Sequence, residues 1–141
     1  MARIKIQLPE QFSFSIVIPV RITDLNYGGH VGNDTILSLI HEARMQFLSS
    51  FGYTEMDFED SSLIMSDVGI EFKSELFYGD LVKAYVTISG MNRVGFDIYY
   101  KLVKNSEETI VVIAKTALIC YDYQNKRVVS IPVKAREKFK I

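Results

Sequence analysis

Between residues 21 and 34 the chain reads Arg21-Ile-Thr-Asp24-Leu-Asn26-Tyr-Gly28-Gly29-His30-Val-Gly32-Asn33-Asp34. Asp24, Asn26, His30, Asn33 and Asp34 fall within eleven residues, interleaved with three glycines. A carboxylate can take a proton from water, and an amide or imidazole can hold that water, or a carbonyl, in place. Glycines permit positive φ and close approach of another molecule. The segment leads into a helix, whose first N–H groups are unpaired and whose dipole favours negative charge. An oxyanion formed by attack on a carbonyl carbon would be stabilised there, with Gly29, Gly32 and Asn33 as candidate donors. The same residue types also build ordinary turns and caps, so both readings stand at this level.

The elements that must position these groups follow from periodicity. A helix is expected from Asp34 to Phe51, with Asn33 or Asp34 as its cap and Gly52 ending it. Ile36, Leu39, Ile40, Ala43, Phe47 and Phe51 share one side, and Ser38, His41, Glu42 and Ser49 the other. The apolar arc covers roughly half the circumference, and Met45 adds apolar area beyond it, so the helix is expected to be enclosed. Arg44 lies inside the arc, where it needs a buried carboxylate or carbonyl groups as partners. The rest alternates with period two: strands are expected at Phe12–Ile18, Ser66–Lys73, around Val82–Ile88, around Val94–Leu102, at Thr109–Tyr121 and at Arg127–Ile131. Pro132 is placed to open a short final helix. One apolar helix and one antiparallel sheet must bury each other, which makes an α+β domain with a curved sheet around a central helix. Val111, Ile113, Ala117 and Ile119 read as an apolar outer face of the fifth strand, to be covered by another subunit.

Composition bounds the function. With 141 residues, 48% hydrophobic and a net charge of −1, the chain is expected to form a single globular domain (1–141) and to bind neither nucleic acid nor an anionic membrane. The lone Cys120 excludes an internal disulfide and a multi-cysteine zinc site, and fits a reducing, cytoplasmic setting. It sits in an apolar strand and reads as packing. Residues 1–7 lack the apolar run of a secretory signal, and no stretch is long enough to span a bilayer. His30, His41 and the acids lack a metal-ligand spacing, and there is no G-x-S-x-G elbow, P-loop or G-x-G-x-x-G.

Asp24-Leu-Asn26-Tyr-Gly28-Gly29-His30-Val-Gly-Asn33-Asp34, followed by His41-Glu42-Ala43-Arg44, resembles the hotdog-fold acyl-CoA thioesterases of the 4-hydroxybenzoyl-CoA thioesterase type. Their pattern is roughly D-x-D-x-x-G-H-V-x-N, with E-A-R late in the central helix. Tyr78-Gly79-Asp80 and Ala114-Lys115-Thr116 fit as well, and the likeness covers about residues 12 to 131. It implies a hotdog fold, a homodimer or dimer of dimers with sites at the subunit interface, and hydrolysis of an acyl thioester. Coenzyme A would be part of the substrate, and no cofactor is expected.

The family's second aspartate, nucleophile or base for water, is replaced here by Asn26. A neutral amide does neither job, although it can hold a water or the carbonyl. The base is therefore sought first at Asp34 or Glu42, then Asp24, then Asp67. Asn26 and His30 would position water or carbonyl, and the N–H groups near Gly32 and Asn33 would bind the oxyanion. Lys73, Lys83, Arg93, Lys101 and Lys104 are candidates for the phosphates of coenzyme A, with none assigned. Against hydrolysis stands a non-catalytic hotdog module that binds acyl-CoA or acyl-carrier protein, which Asn26 favours. A hotdog dehydratase ranks third.

Overall fold

A computed structural model describes residues 1–140. The elements are β1 (Phe14–Pro19), a 3₁₀ turn (Ile22–Asp24), α1 (Asn33–Ser49), β2 (Ser62–Phe72), β3 (Leu81–Ser89), β4 (Gly95–Lys104), β5 (Ile110–Asp122), β6 (Arg127–Val128) and α2 (Val133–Lys138). The strands form one antiparallel sheet in the order β1-β3-β4-β5-β2, with β6 on β5. The apolar side of α1 is buried with the inward rows of β3 (Val82, Ala84, Val86), β4 (Ile98, Tyr100, Leu102) and β5 (Val112, Ala114, Leu118). This is the expected α+β hotdog arrangement.

The two ends of α1 differ. At its C-terminus, Phe47 packs edge-on against Phe14 and Phe51, with centroids 5.7 and 5.3 Å away. α2, which Pro132 caps, delivers Phe139 to within 4.8 Å of Phe51 and 5.3 Å of Phe96. Gly52, at φ +84°, takes the left-handed conformation that ends the helix. The N-terminus, by contrast, presents Asn33 and Asp34 to solvent.

Several expectations are corrected. The cap of α1 is Gly32, with no side-chain hydrogen bond, not Asn33 or Asp34, which lie inside the first turn. The helix stops at Ser49, because the chain tightens into turns through Ser50 and Phe51. It is not enclosed within the single chain: Ser38, His41, Glu42 and Gln46 are exposed. β1 is displaced two residues from Phe12 and reaches Pro19, β2 begins four residues before Ser66, and β6 ends at Val128. Period-two alternation marks a strand's interior better than its ends, which are set by pairing partners.

Val111 is fully buried rather than on the outer face. The β4–β5 register shifts between Leu102 and Val103, and this bulge turns Val111 inward while its carbonyl accepts the N–H groups of Lys73 and Ser74. Ile113, Ala117 and Ile119 do lie outward and are half-buried.

The outer side of the sheet also receives the chain's own first residues. Phe12 packs on the Tyr85 ring at 6.1 Å. Farther along this arm, the Ile6 N–H donates to Glu71 Oε2 at 2.7 Å, and Ile6 and Ile4 lie 3.7 and 3.8 Å from where a Cβ on Gly69 would stand. β2 is an edge strand, and its row Met65, Val68, Ile70 and Phe72 pairs with the inward row of β5. Met65, Val68 and Phe72 nonetheless stay exposed, since α1 approaches β1 and β3 instead. No helix among the described residues is long and apolar enough to cross a membrane.

Candidate active site

The segment from Asp24 to Asp34 is held by a dense local network. Asp24, only 3% exposed, closes the 3₁₀ turn: its Oδ2 accepts the Arg21 N–H at 2.8 Å and its Oδ1 accepts Arg21 Nη2 at 3.3 Å. Its carboxylate is thereby occupied. Asn26 makes an Asx turn, its Oδ1 accepting the Gly28 N–H at 2.8 Å while its carbonyl accepts the Gly29 N–H at 3.1 Å. Gly29 sits at φ +84°, and its N–H is already used. The Asn26 N–H returns to the His30 carbonyl at 2.8 Å, Leu25 bridges to Val31, and Val31 N–H donates to the Leu76 carbonyl. The chain enters α1 clamped against the β2–β3 connection.

Around Gly32 three candidates converge. A Cβ added there would lie 2.6 Å from Asp34 Oδ1 and 3.6 Å from Asn26 Cβ. Asn26, Gly32 and Asp34 are therefore packed together at the start of a helix that no side chain caps. Its first-turn N–H groups remain available to an anion.

His30 and Asn33 border this group, Asn26 Oδ1 and His30 Nε2 lying 3.2 and 3.6 Å from where a Cβ on Gly28 would stand. They line a cleft of about 250 Å³ with Ile36, Phe72, Lys73 and Glu75. His30 Nδ1 lies 3.1 Å from the Val31 carbonyl, which can only accept, so Nδ1 is the donor in that hydrogen bond. Nε2 stands 3.8 Å from Glu75 Oε1. Glu75 escaped sequence reading because nothing in its spacing ties it to His30; the His30–Phe77 bridge does so in space.

Glu42 is two turns from the helix start and accepts Gln46 Nε2 at 2.8 Å. It lines a third wall, a cleft of about 340 Å³ between α1 and β1 shared with Arg21, Asp24 and Ser38. Asp67 lies on the outer side of β2, 3.0 Å from Lys115 Nζ, away from the helix. Arg44 has the expected carboxylate: its Nε is 3.5 Å from Glu55 Oε2, and its Nη1 donates to the Tyr100 hydroxyl at 3.4 Å. Tyr100 in turn meets Thr116 Oγ1 at 2.7 Å, inside the core. Burial pushes the Tyr100 phenol above its ordinary value, against the pull of Arg44. Cys120 is buried, and burial drives its thiol up to about 11, which makes it a packing residue. Among the described residues no group of three or more His, Cys, Asp or Glu is placed to hold a metal ion.

The sequence matches the family description of the thioesterase-like superfamily over residues 20–139. It is 28% identical over 116 residues to the 1,4-dihydroxy-2-naphthoyl-CoA hydrolase of Microcystis aeruginosa, covering 80% of this chain and 83% of that one. Among solved structures, a 1,4-dihydroxy-2-naphthoyl-CoA thioesterase from Synechocystis superposes with a TM-score of 0.82 at 20% identity, over 89% of this chain and 94% of the other. A Thermus thermophilus thioesterase, solved with coenzyme A and Zn, gives 0.81 at 20% identity over 93% and 100% of the two chains. The chain belongs to the thioesterase-like superfamily and has its hotdog fold, which is the class of a thioester hydrolase.

Proposed function

We propose that this chain hydrolyses an acyl-CoA thioester to free acid and thiol by direct attack of water at the N-terminus of α1. The observation that carries the reading is the packing of Asn26 and Asp34 around Gly32 at an uncapped helix start. The thioester carbonyl oxygen points at the first-turn N–H groups near Gly32 and Asn33. Water attacks the carbonyl carbon and gives its proton to Asp34; negative charge on the oxygen is held by the N–H groups. The C–S bond then breaks, and the leaving thiolate takes the proton from Asp34. One such N–H donor contributes about 3–4 kcal/mol, as much as a good base does. Asn26 and His30 orient the reacting groups. Glu42 and Asp24 rank lower as bases, because Glu42 opens into a separate cleft and Asp24 is paired.

Coenzyme A enters as part of the substrate, not as a cofactor. The relatives named for 1,4-dihydroxy-2-naphthoyl-CoA make an aromatic acyl-CoA the first substrate to assay. The working unit is a homodimer: β2 has a free edge 11 residues long, bordered by exposed Met65, Val68 and Phe72. A monomer at micromolar concentration by sedimentation would contradict this.

Thiol release measured over acyl-CoA and acyl-carrier-protein substrates tests the chemistry. Turnover that falls about 100-fold or more in Asp34→Asn, with substrate binding kept, is the expected result. Binding of acyl-CoA without release of thiol from any substrate would instead make the protein the non-catalytic module that Asn26 allows.

A further inference from the structure

We infer that the cleft between α2 and the β3–β4 turn is a binding site for a carboxylic acid with an apolar chain, the chain lying on Ile88, Met91 and Phe139 and the carboxylate on Arg136 and Lys140. The site is separate from the candidate active site and does not depend on the hydrolase reading.

The cleft follows from how the far end of the core is closed. α2 lays Phe139 against Phe47, Phe51 and Phe96, with ring centroids 6.4, 4.8 and 5.3 Å away, and Phe139 is buried. The β3–β4 turn stands opposite. Gly90 takes φ +60° in it. Asn92 Oδ1 accepts the N–H groups of Val94 and Gly95, both at 2.9 Å, and the Asn92 N–H returns to the Gly95 carbonyl. The turn is therefore tied to itself, and its Asn92 carbonyl accepts Arg136 Nη2 from α2 at 2.7 Å. Between the two walls remains a cleft of about 400 Å³, lined by Ile88, Gly90, Met91, Phe139, Arg136 and Lys140. Small-molecule sites span roughly 300–1,000 Å³ and pair apolar walls with a few polar groups that fix orientation.

Charge decides which apolar molecule fits. In a protein of net charge −1, residues 126–140 hold Lys126, Arg127, Lys134, Arg136, Lys138 and Lys140 against one acid, Glu137. Lys138 is turned to Glu59, 4.0 Å away, and to the Tyr53 ring. Arg136 and Lys140 line the cleft instead, and neither makes an ion pair among the described residues. Asp97, beside the turn, has its charge matched by Lys115 Nζ at 3.4 Å. One Arg136 donor is used on the Asn92 carbonyl, and the rest of the guanidinium fork suits a carboxylate. A neutral chain in the cleft would desolvate two cations without a partner, whereas a carboxylate head supplies one. The cleft is also remote from the proposed reaction. β3 runs from Leu81, next to the turn that carries Phe77 against His30, to Ser89 beside the cleft, about 25 Å at about 3.3 Å per residue.

Titration of the full chain with octanoate and, separately, with octanol tests the assignment, followed by methyl NMR at Ile88 and Met91 and at Ile36 beside the helix start. Octanoate is expected to shift the Ile88 and Met91 signals along one saturation curve, and octanol to need about ten times the concentration, the loss of one charge-assisted contact. Arg136→Gln, which keeps an N–H donor and removes the charge, should weaken octanoate about tenfold and leave octanol within about twofold. Lys140→Gln, at an exposed residue that folding does not need, supplies the same comparison with a loss of about threefold. Unmoved Ile88 and Met91 signals, or equal affinity for acid and alcohol, overturns the site. Shifts confined to Ile36 overturn it too, placing the acid at the helix start alone. Binding to vesicles of anionic phospholipid without any response to octanoate would likewise end it, making the basic segment a membrane contact.

Discussion

Gly32→Ala separates the two halves of the proposed site. Gly32 has φ −73° and ψ 155°, which alanine adopts without strain. The new Cβ would stand 2.6 Å from Asp34 Oδ1, inside the 3.0 Å that real Cβ contacts essentially never breach. The obstacle is the tip of a side chain, so the fold survives and the Asp34 carboxylate retreats by several tenths of an ångström or swings to another rotamer. Alanine for glycine at a helix cap costs about 0.5–1 kcal/mol, a fall in Tm of roughly 2–5 °C at this chain length. Misplacing a catalytic group by about 1 Å costs on the order of 100-fold in rate, so kcat is expected to fall about 10- to 100-fold with KM little changed. Steady-state thiol release beside a thermal melt measures both. A folded Gly32→Ala protein with kcat within about twofold of wild type would refute the placement of Asp34 as base. A fully active Asp34→Asn protein beside a crippled Gly32→Ala would move the chemistry to the N–H groups alone.

Three further outcomes follow from the structure. In Gly95→Ala the added Cβ would lie 2.3 Å from the Leu118 carbonyl oxygen, a backbone atom of the paired strand that cannot step aside; denaturant melts should show a loss of about 3 kcal/mol or more, or no folded protein. Cys120, buried and with its thiol pushed up to about 11, should resist alkylation in the native protein at pH 8 and react on unfolding; rapid native labelling would contradict its packing role. Glu71 is held below its ordinary value of 4.5, chiefly by the Ile6 N–H and then by Lys73, so its grip on the arm is complete above that pH and is lost as pH falls through the lowered value. Amide exchange at Ile6 should therefore be slowed at neutral pH and speed up, relative to an unstructured peptide, only in acid; an Ile6 amide as fast as a free peptide at pH 7 would show the arm undocked.

The helix and most of the sheet were legible because each has a single dominant period. Ile36, Leu39, Ile40, Ala43 and Phe47 fall on one side at helical spacing and are all buried. Arg44 was legible as an anomaly: a guanidinium in an apolar arc demands a partner, although only the fold supplies Glu55, eleven residues on in the α1–β2 connection. What stayed hidden depends on pairing between distant segments. Val111 reads as outward by alternation, and a bulge turns it inward. The alternation of Ile4, Ile6 and Leu8 meets no glycine seat until Gly69 is brought beneath it. Glu75 acquires meaning only beside His30. Asn33 and Asp34 read as caps by type, whereas the extended residue before the helix is Gly32.

That uncapped start bears on Asn26. An asparagine or aspartate at the cap position would have satisfied a first-turn N–H with its own oxygen and taken that donor from any ligand. Gly32 cannot do so; the nearest side-chain acceptor is Asp34 Oδ1, and Asn26 packs there through its Cβ. Asn26 Oδ1 is directed to the Gly28 N–H, which shapes the turn and keeps the amide off the helix. A carboxylate at position 26, whose Cβ packs at Gly32 as Asp34 does, would add a second negative charge to this segment, and neighbouring like charges raise one another's pKa. A neutral amide avoids that. Among the described residues it leaves Asp34 as the carboxylate packed against Gly32, with no side-chain hydrogen bond on its oxygens. In the mechanism proposed above, Asn26 is the condition under which a carboxylate from the helix, instead of one from the preceding loop, serves as base. Asn26→Asp should then fail to raise kcat, and a gain in turnover would restore the loop carboxylate as the base.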